Sequence, residues 1–583
     1  MKFKKHTLLI LSLLLFQIGF SQLDGRENKK FSKADTLRGM LSPERACYNV
    51  LSYDLDVKVD IDDKFISGSN TIKFISEQDF QKLQIDLFAN MKIEKIELDG
   101  IELKYTREYN AVFVTFLETI KKGQVESIKI YYSGHPQSAK NAPWDGGFSW
   151  KKDQDENPWV GVSCQGTGAS CWWPCKDHQS DEPENMFIRI TVPPDLVEVS
   201  NGRLKQTTAL PNGWTKYEWY VSYPINSYDV TLNIAKYKHL SDSYINPVYK
   251  DTLTLDYYVL SANYNKAKEH FKQIKPMLDC YSKLFGEYPF VRDGYKLVET
   301  PYLGMEHQSC VSYGNKYLNG YLGKDMSGTG YHFDYIIIHE SAHEWWGNSV
   351  TTNDIADMWI HEGFATYSEA LYIECLYGYD AYLKYINSEK KSVKNTEPII
   401  GKYGLNNKGS DDMYPKGSLL LHTIRGIINN DTLFFKIING IQDTFRYHNV
   451  NSGDIEKYIS QKSGIDFSDI FDLYLRGTSI PKLIFKIEVD SVDLKIEYRY
   501  KLSGADVFES TEYQNKHGLF KMPVKITFKK DEFHFIYPTT LWKTIIIHNM
   551  KKEDFKVADD LFYMDTELNF VNKNKVQPIN KPK

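Results

Sequence analysis

From Leu51 the stretch LSYDLDVKVDI alternates, with Leu51, Tyr53, Leu55, Val57, Val59 and Ile61 on one side and polar residues between them. A period of two predicts a strand with one wet face. Similar runs at 70–76, 112–117, 127–132, 186–192, 214–220 and 253–259 are separated by Gly, Pro, Asn and Asp, which break strands and start turns. An N-terminal β domain is therefore expected over residues 22–245.

The period lengthens after Asn263. Ala267, Phe271, Ile274, Leu278 and Tyr281 recur at helical spacing. The same pattern predicts helices over 331–346, 363–386, 417–428, 431–445, 452–463 and 467–476, and so a helix-rich domain over 246–480. Alternation returns after Pro481, in Phe485, Ile487 and Val489, then Leu494, Ile496, Tyr498 and Tyr500, then Val524, Ile526 and Phe528. These short strands predict a C-terminal β-sandwich over 481–583. The fold class expected is multidomain α+β. No internal repeat or low-complexity linker separates the domains, so they should pack directly on one another.

The first 21 residues, MKFKKHTLLILSLLLFQIGFS, place three lysines before an apolar run and small residues before Gln22, the plan of a secretory signal peptide. Its apolar core is short for a bilayer span, which takes about 20 residues. Cleavage after Ser21 removes three lysines and takes the formal net charge from -5 to -8. No later segment is apolar enough to span a membrane, so the mature chain is expected to be exported, to the periplasm or fully secreted. Its mildly acidic surface has no basic run, which argues against a nucleic-acid partner. Seven cysteines are too few for a disulfide scaffold in a chain of this length. Cys171 and Cys175, in ASCWWPCKD, are close enough to pair, while Cys280, Cys310 and Cys375 stand singly and are expected to be buried thiols.

Residues 339–348 read HESAHEWWGN. On a helix, His339 and His343 project from one face and can converge on a single ion, while Glu340 sits one position round, within reach of a water there. The apolar YIII before them implies burial, and burying two imidazoles and a carboxylate is costly without a compensating partner. Two histidines leave a catalytic zinc one protein ligand short. With 18 residues between it and His343, Glu362 falls in the first turn of the next helix and can supply that ligand. Asp354 and Asp357 are rivals for the place. Glu369, on the same face as Glu362, is better placed to orient a ligand than to be one.

HESAHEWWGN followed by EGFA resembles the aminopeptidase N and leukotriene hydrolase family of gluzincin metallopeptidases, with the pattern HExxHxWxGN and a glutamate on the next helix. His339, Glu340, His343, Trp345, Gly347, Asn348 and Glu362 match it one by one, whereas Glu344 and Trp346 fall where the family varies. YLGMEHQS keeps Gly304, Met305 and Glu306 of the family's GxMEN motif but has His307 where asparagine is usual. In the family this glutamate holds the substrate's α-ammonium, and Gln165 aligns with the glutamine that assists it. MYPKGSLLL supplies Tyr414, Lys416 and Gly417 of the YxKG pattern, whose tyrosine donates to the oxyanion.

The resemblance implies a saddle-like N-terminal β domain, a thermolysin-like catalytic domain and a β-sandwich. It also implies a single zinc ion held by His339, His343 and Glu362, and removal of the first residue of peptides with a free N-terminus by a zinc-activated water, with Glu340 as base. The long C-terminal helical domain of many relatives has no counterpart here, which implies a more open groove. Other activities on this scaffold are epoxide hydrolysis and thermolysin-like endopeptidase action, the latter opposed by GMEH and the 18-residue spacer. A catalytically inactive peptide-binding relative is a further reading, opposed by the intact ligand set.

Overall fold

A computed structural model describes residues 30–490, 492–502 and 519–572. The expected signal peptide, residues 1–21, lies outside the described residues. The architecture is multidomain α+β, with a multi-sheet N-terminal β region, a helical region and a further β region.

The first strand, Tyr48–Asp60, buries Tyr53, Leu55, Val57 and Val59 as the alternation requires. Its start differs from expectation. A bulge between Val50 and Ser52 shifts the register, so Tyr48 and Val50 are buried and Leu51 is only half-buried. One extra residue flips every side chain beyond it to the other face. This strand pairs antiparallel with Phe65–Ser76 and parallel with Asn185–Val192, at the centre of an eight-stranded sheet. A four-stranded sheet built on Pro158–Ser163 and a three-stranded sheet built on Ala111–Ile120 pack with it around one apolar core.

A five-stranded sheet follows, in the order Tyr237–Ile245, Thr252–Leu260, Tyr295–Glu299, Val311–Tyr313, Gly304–Met305. Tyr237–Ile245, the last segment of the stretch expected as the N-terminal domain, pairs antiparallel with Thr252–Leu260 in this sheet. Gly304–Met305 forms the edge, antiparallel to Val311–Tyr313.

The helices flank this edge. The expected helix over 331–346 is shorter, Tyr335–Ala342, because Asp334 caps it by accepting from the amides of Ile336 and Ile337 at 3.0 and 3.3 Å. The expected single helix over 363–386 is two, Trp359–Tyr377 and Tyr379–Ser388, divided at Gly378, whose φ of 86° leaves the helical region. The segment 467–476 is an α turn, Ser468–Phe471, that continues as a π turn, Asp472–Arg476.

The cysteine expectations need correction. Cys280 and Cys375 form a disulfide joining the helices Ile274–Phe285 and Trp359–Tyr377. Cys375 is exposed rather than buried. Cys171 and Cys175 are free and buried, each enclosed by the N-terminal apolar core. Sequence proximity misled in one case and separation in the other, because helix packing brings the Cα atoms of residues 95 apart in sequence to 6.1 Å.

After Pro481 a four-stranded sheet, ordered Lys543–Ile547, Asp493–Leu502, Pro481–Asp490, Asp565–Asn572, and the hairpin Val524–Lys529 with Glu532–Ile536 complete the described chain. Their buried residues are continuous with the core of the helical region.

Candidate functional site

The helix Tyr335–Ala342 is buried from Ile336 onward. Beyond it the chain turns at Gly347, whose φ is 131°, and runs through Val350–Thr352 into Trp359–Tyr377, which packs back on the first helix. That return brings Glu362 to the two histidines. Its Oε2 lies 3.4 Å from His339 Nε2 and 3.3 Å from His343 Nε2, and the two Nε2 atoms are 3.3 Å apart.

The far side of each ring is fixed. His339 Nδ1 donates to Glu369 at 2.8 Å, and Glu369 in turn accepts from the Tyr385 hydroxyl at 2.6 Å. His343 Nδ1 donates to the Trp346 carbonyl at 2.8 Å. With both Nδ1 positions protonated, the Nε2 atoms of neutral rings carry only lone pairs, and both point at the same carboxylate oxygen. That oxygen is buried and has no hydrogen-bond donor. Three convergent lone pairs without a proton among them repel one another, so this is a fitted cradle for a divalent cation, and two imidazoles and a carboxylate are the donor set zinc takes. Burial raises the Glu362 carboxyl; without a cation in the cradle, protonation of His343 and His339 opposes that and holds it well below the usual range, so the positive charge this carboxylate calls for is supplied either by protons on the rings or by a metal ion.

The rival third ligands are engaged elsewhere. Asp354 accepts from the amides of Ala356 and Gly404 at 2.9 and 2.8 Å. Asp357 accepts from the hydroxyls of Tyr403 and Ser452. Glu344 faces away, accepting from the Ser309 amide at 2.8 Å and the Tyr288 hydroxyl at 3.1 Å.

Glu340 lies beside the three convergent groups in a cleft of about 130 Å³ that also exposes Gln165, Met305, Glu306 and Tyr414. Burial pushes its carboxyl up to about 8, against the pull of the histidines. A divalent cation next to it would act in the opposite direction. Gly304 makes room for it: a Cβ there would stand 2.7 Å from Glu340 Oε1 and 2.6 Å from Ile336 Cγ2.

Glu306 follows that edge strand. Asn348 holds it in place, donating its side-chain amide to the Glu306 carbonyl at 2.7 Å. Gln165, from the N-terminal β region, donates to the Glu306 carboxylate and, at 3.2 Å, to Glu362. His307 is fully buried with Nδ1 3.0 Å from the Ser312 hydroxyl, and it does not line the cleft.

Tyr414 stands at the start of Pro415–Ile428 and lines the same cleft, its ring 6.0 Å from that of His339. Lys416 ties this start to the Gly477 carbonyl at 2.7 Å. Two features were not anticipated. Tyr385 is one of 41 tyrosines, and no spacing distinguishes it. Gly363 and Gly417 touch back to back, each leaving less than the room a Cβ needs, with 3.0 and 2.8 Å to the other's Cα. Both follow a site motif closely, in EGFA and YPKG, so a signal was present.

Two family descriptions match the chain: the Peptidase family M1 domain over residues 269–474 and the Peptidase M1 N-terminal domain over 49–228. Among curated relatives, a leucyl aminopeptidase from Saccharolobus solfataricus is 23% identical over 449 residues, 74% of this chain and 54% of its own length. Aminopeptidase 2 from Candida albicans is 21% identical over 542 residues, 88% of this chain and 57% of its own length. The chain thus spans about half the length of the curated relatives it matches. An M1 zinc metallopeptidase from Deinococcus radiodurans, solved with a Tyr-Ser-Ala substrate, has the same fold, with a TM-score of 0.63 at 20% identity, covering 76% of this chain and 98% of that one.

Proposed function

Because the chain belongs to peptidase family M1, we propose that it is a zinc-dependent aminopeptidase that removes the first residue of peptides with a free N-terminus. The observation that carries this reading is the Glu306–Gln165 pair set beside the convergent His339, His343 and Glu362. An anion so placed fits a peptide's terminal ammonium, and its neighbourhood to the cation cradle measures off one residue to the scissile carbonyl.

His339, His343 and Glu362 would hold the zinc ion, which would supply Lewis acidity to water and carbonyl alike. Glu340 takes the proton of the attacking water and returns it to the leaving amine. Tyr414 donates to the oxyanion of the tetrahedral intermediate, a contact typically worth about 3 kcal/mol. Gln165 and Glu306 hold the ammonium while this happens, and Glu369, braced by Tyr385, keeps the His339 ring in orientation. The proposed content is one zinc per chain.

We also place the mature protein outside the cytoplasm. The leader-like first 21 residues support this, as does the Cys280–Cys375 disulfide, a bond that persists in oxidising compartments. Among the described residues no helix is long and apolar enough to cross a membrane.

The test is metal analysis of the purified protein together with a panel of aminoacyl-coumarins, each paired with its N-acetylated control. Stoichiometric zinc and cleavage confined to free-amine substrates are expected. Equal cleavage of acetylated substrates, or zinc-free protein after reconstitution, would overturn the reading.

A further inference from the structure

We propose that Arg38 is a positioning residue for amine recognition, acting through the Gly166 carbonyl to fix where Gln165 presents its amide. This rests on the aminopeptidase reading of Gln165 and Glu306. Arg38 lies in the helix Lys33–Gly39, which precedes both stretches matched by the family.

Gln165 sits in a loop that needs restraint. Gly166 and Gly168 adopt φ values of 70° and 95°, a region open to glycine, and such a backbone has more freedom to lose than any other. Besides the Thr167 hydroxyl, which donates to the Asp145 carbonyl at 2.7 Å, the tip of the loop is held at the Gly166 carbonyl oxygen. It accepts from Arg38 Nη2 at 3.2 Å and from Asn406 Nδ2 at 3.1 Å. The two donors come from segments far apart in the sequence, so the carbonyl is clamped between them.

The helix carrying Arg38 is itself moored. The Arg38 carbonyl accepts from Arg45 Nη1 at 2.7 Å, and Arg45 is fully buried in an ion pair with Asp86 at 2.7 Å. Gln84 donates to the Leu37 carbonyl at 3.1 Å. Two glycines make room for the approach. A Cβ on Gly168 would stand 2.4 Å from Arg38 Nη2, and one on Gly39 would stand 2.1 Å from the Asn406 amide nitrogen. The N-terminal helix thus bridges the Gln165 loop and the Asn406 loop. The first carries an ammonium ligand, and the second leads into Tyr414.

A residue with this role sets the affinity for the amine and leaves the zinc-side chemistry alone. The test uses the full, zinc-loaded chain with Arg38→Ala, Arg38→Lys and Asn406→Ala. It measures kcat and KM for leucyl-aminomethylcoumarin and inhibition by leucine hydroxamate and by the same hydroxamate lacking the amine. For Arg38→Ala, KM should rise about tenfold with kcat within about twofold, and the preference for the amine-bearing inhibitor should shrink about tenfold, the size of a lost hydrogen bond. Arg38→Lys should restore part of that preference and Asn406→Ala should move it in the same direction. A wild-type preference kept in Arg38→Ala, or an equal weakening of both inhibitors, would overturn the proposal. A wild-type enzyme that does not distinguish the two hydroxamates would instead remove the Glu306–Gln165 anchor, and the proposal with it.

Discussion

Glu340 stands beside the cation cradle without being one of its three convergent donors, so its replacement should separate metal binding from catalysis. His339 and Glu340 lie on one helix and His343 is its C-cap, and that spacing alone places their side chains near one another. Glu362 needed the return of the chain, and Glu306 and Gln165 needed the resemblance, because they come from other segments. Glu340→Gln keeps the shape that packs against Gly304 but removes the base. Zinc content should be unchanged and turnover should fall by about 10² or more, read as metal analysis beside kcat. Glu306→Ala removes the anion that pairs with the ammonium. It should raise KM for free-amine substrates while leaving any residual action on acetylated ones unchanged, and an equal loss on both would count against the anchor.

Helices were legible as periods but not as ends. The periodic residues of 363–386 continue across Gly378 without interruption, because one left-handed residue changes the helix direction and leaves the apolar spacing nearly intact. How the helices meet was likewise hidden. The Gly363–Gly417 contact sets the distance between the helix that carries Glu362 and the helix that begins at Tyr414. Gly417→Ala should force them apart, costing about 1–3 kcal/mol in denaturant unfolding and lowering kcat as Tyr414 shifts. The Cys280–Cys375 disulfide staples the Glu362 helix to Ile274–Phe285 across a sequence separation of 95. Replacing both cysteines by serine should cost about 2–4 kcal/mol of stability, with the active-site spacing preserved when the protein is folded. A double variant as stable as the wild type would show that the bond adds nothing to helix packing.

Across the whole molecule, the seams between domains carry the polar groups that burial makes sensitive to pH. His422, on Pro415–Ile428, lies 2.7 Å from the Tyr382 hydroxyl and 2.8 Å from the Asp560 carbonyl, and so links the helical region to the C-terminal one. Its Nε2 donates to the carbonyl and its Nδ1 accepts from the hydroxyl, so a second ring proton would require the Tyr382 hydroxyl to turn its own proton away, toward Tyr367. Burial pushes its pKa down to about 3 from a usual 6.5. The unfolded chain therefore binds the proton first as pH falls. The stability this residue contributes is fully present above about pH 6.5 and is lost toward pH 3, at up to about 1.4 kcal/mol per pH unit. His422→Gln keeps a donor and an acceptor without a titrating ring. Its urea-unfolding free energy should fall less steeply than the wild type's between pH 6.5 and 5, and an identical slope would exclude the residue as a source of acid sensitivity. The sequence by itself determined the order of β, helical and β regions and the local half of the cation cradle, because side-chain period and i to i+4 spacing are properties of a chain segment. Only the tertiary structure decided which cysteines pair, how Glu362, which the resemblance had already named, is carried to the two histidines, and that an N-terminal helix reaches the Gln165 loop. Those outcomes depend on the packing of surfaces distant in sequence, and no local pattern encodes a distance between them.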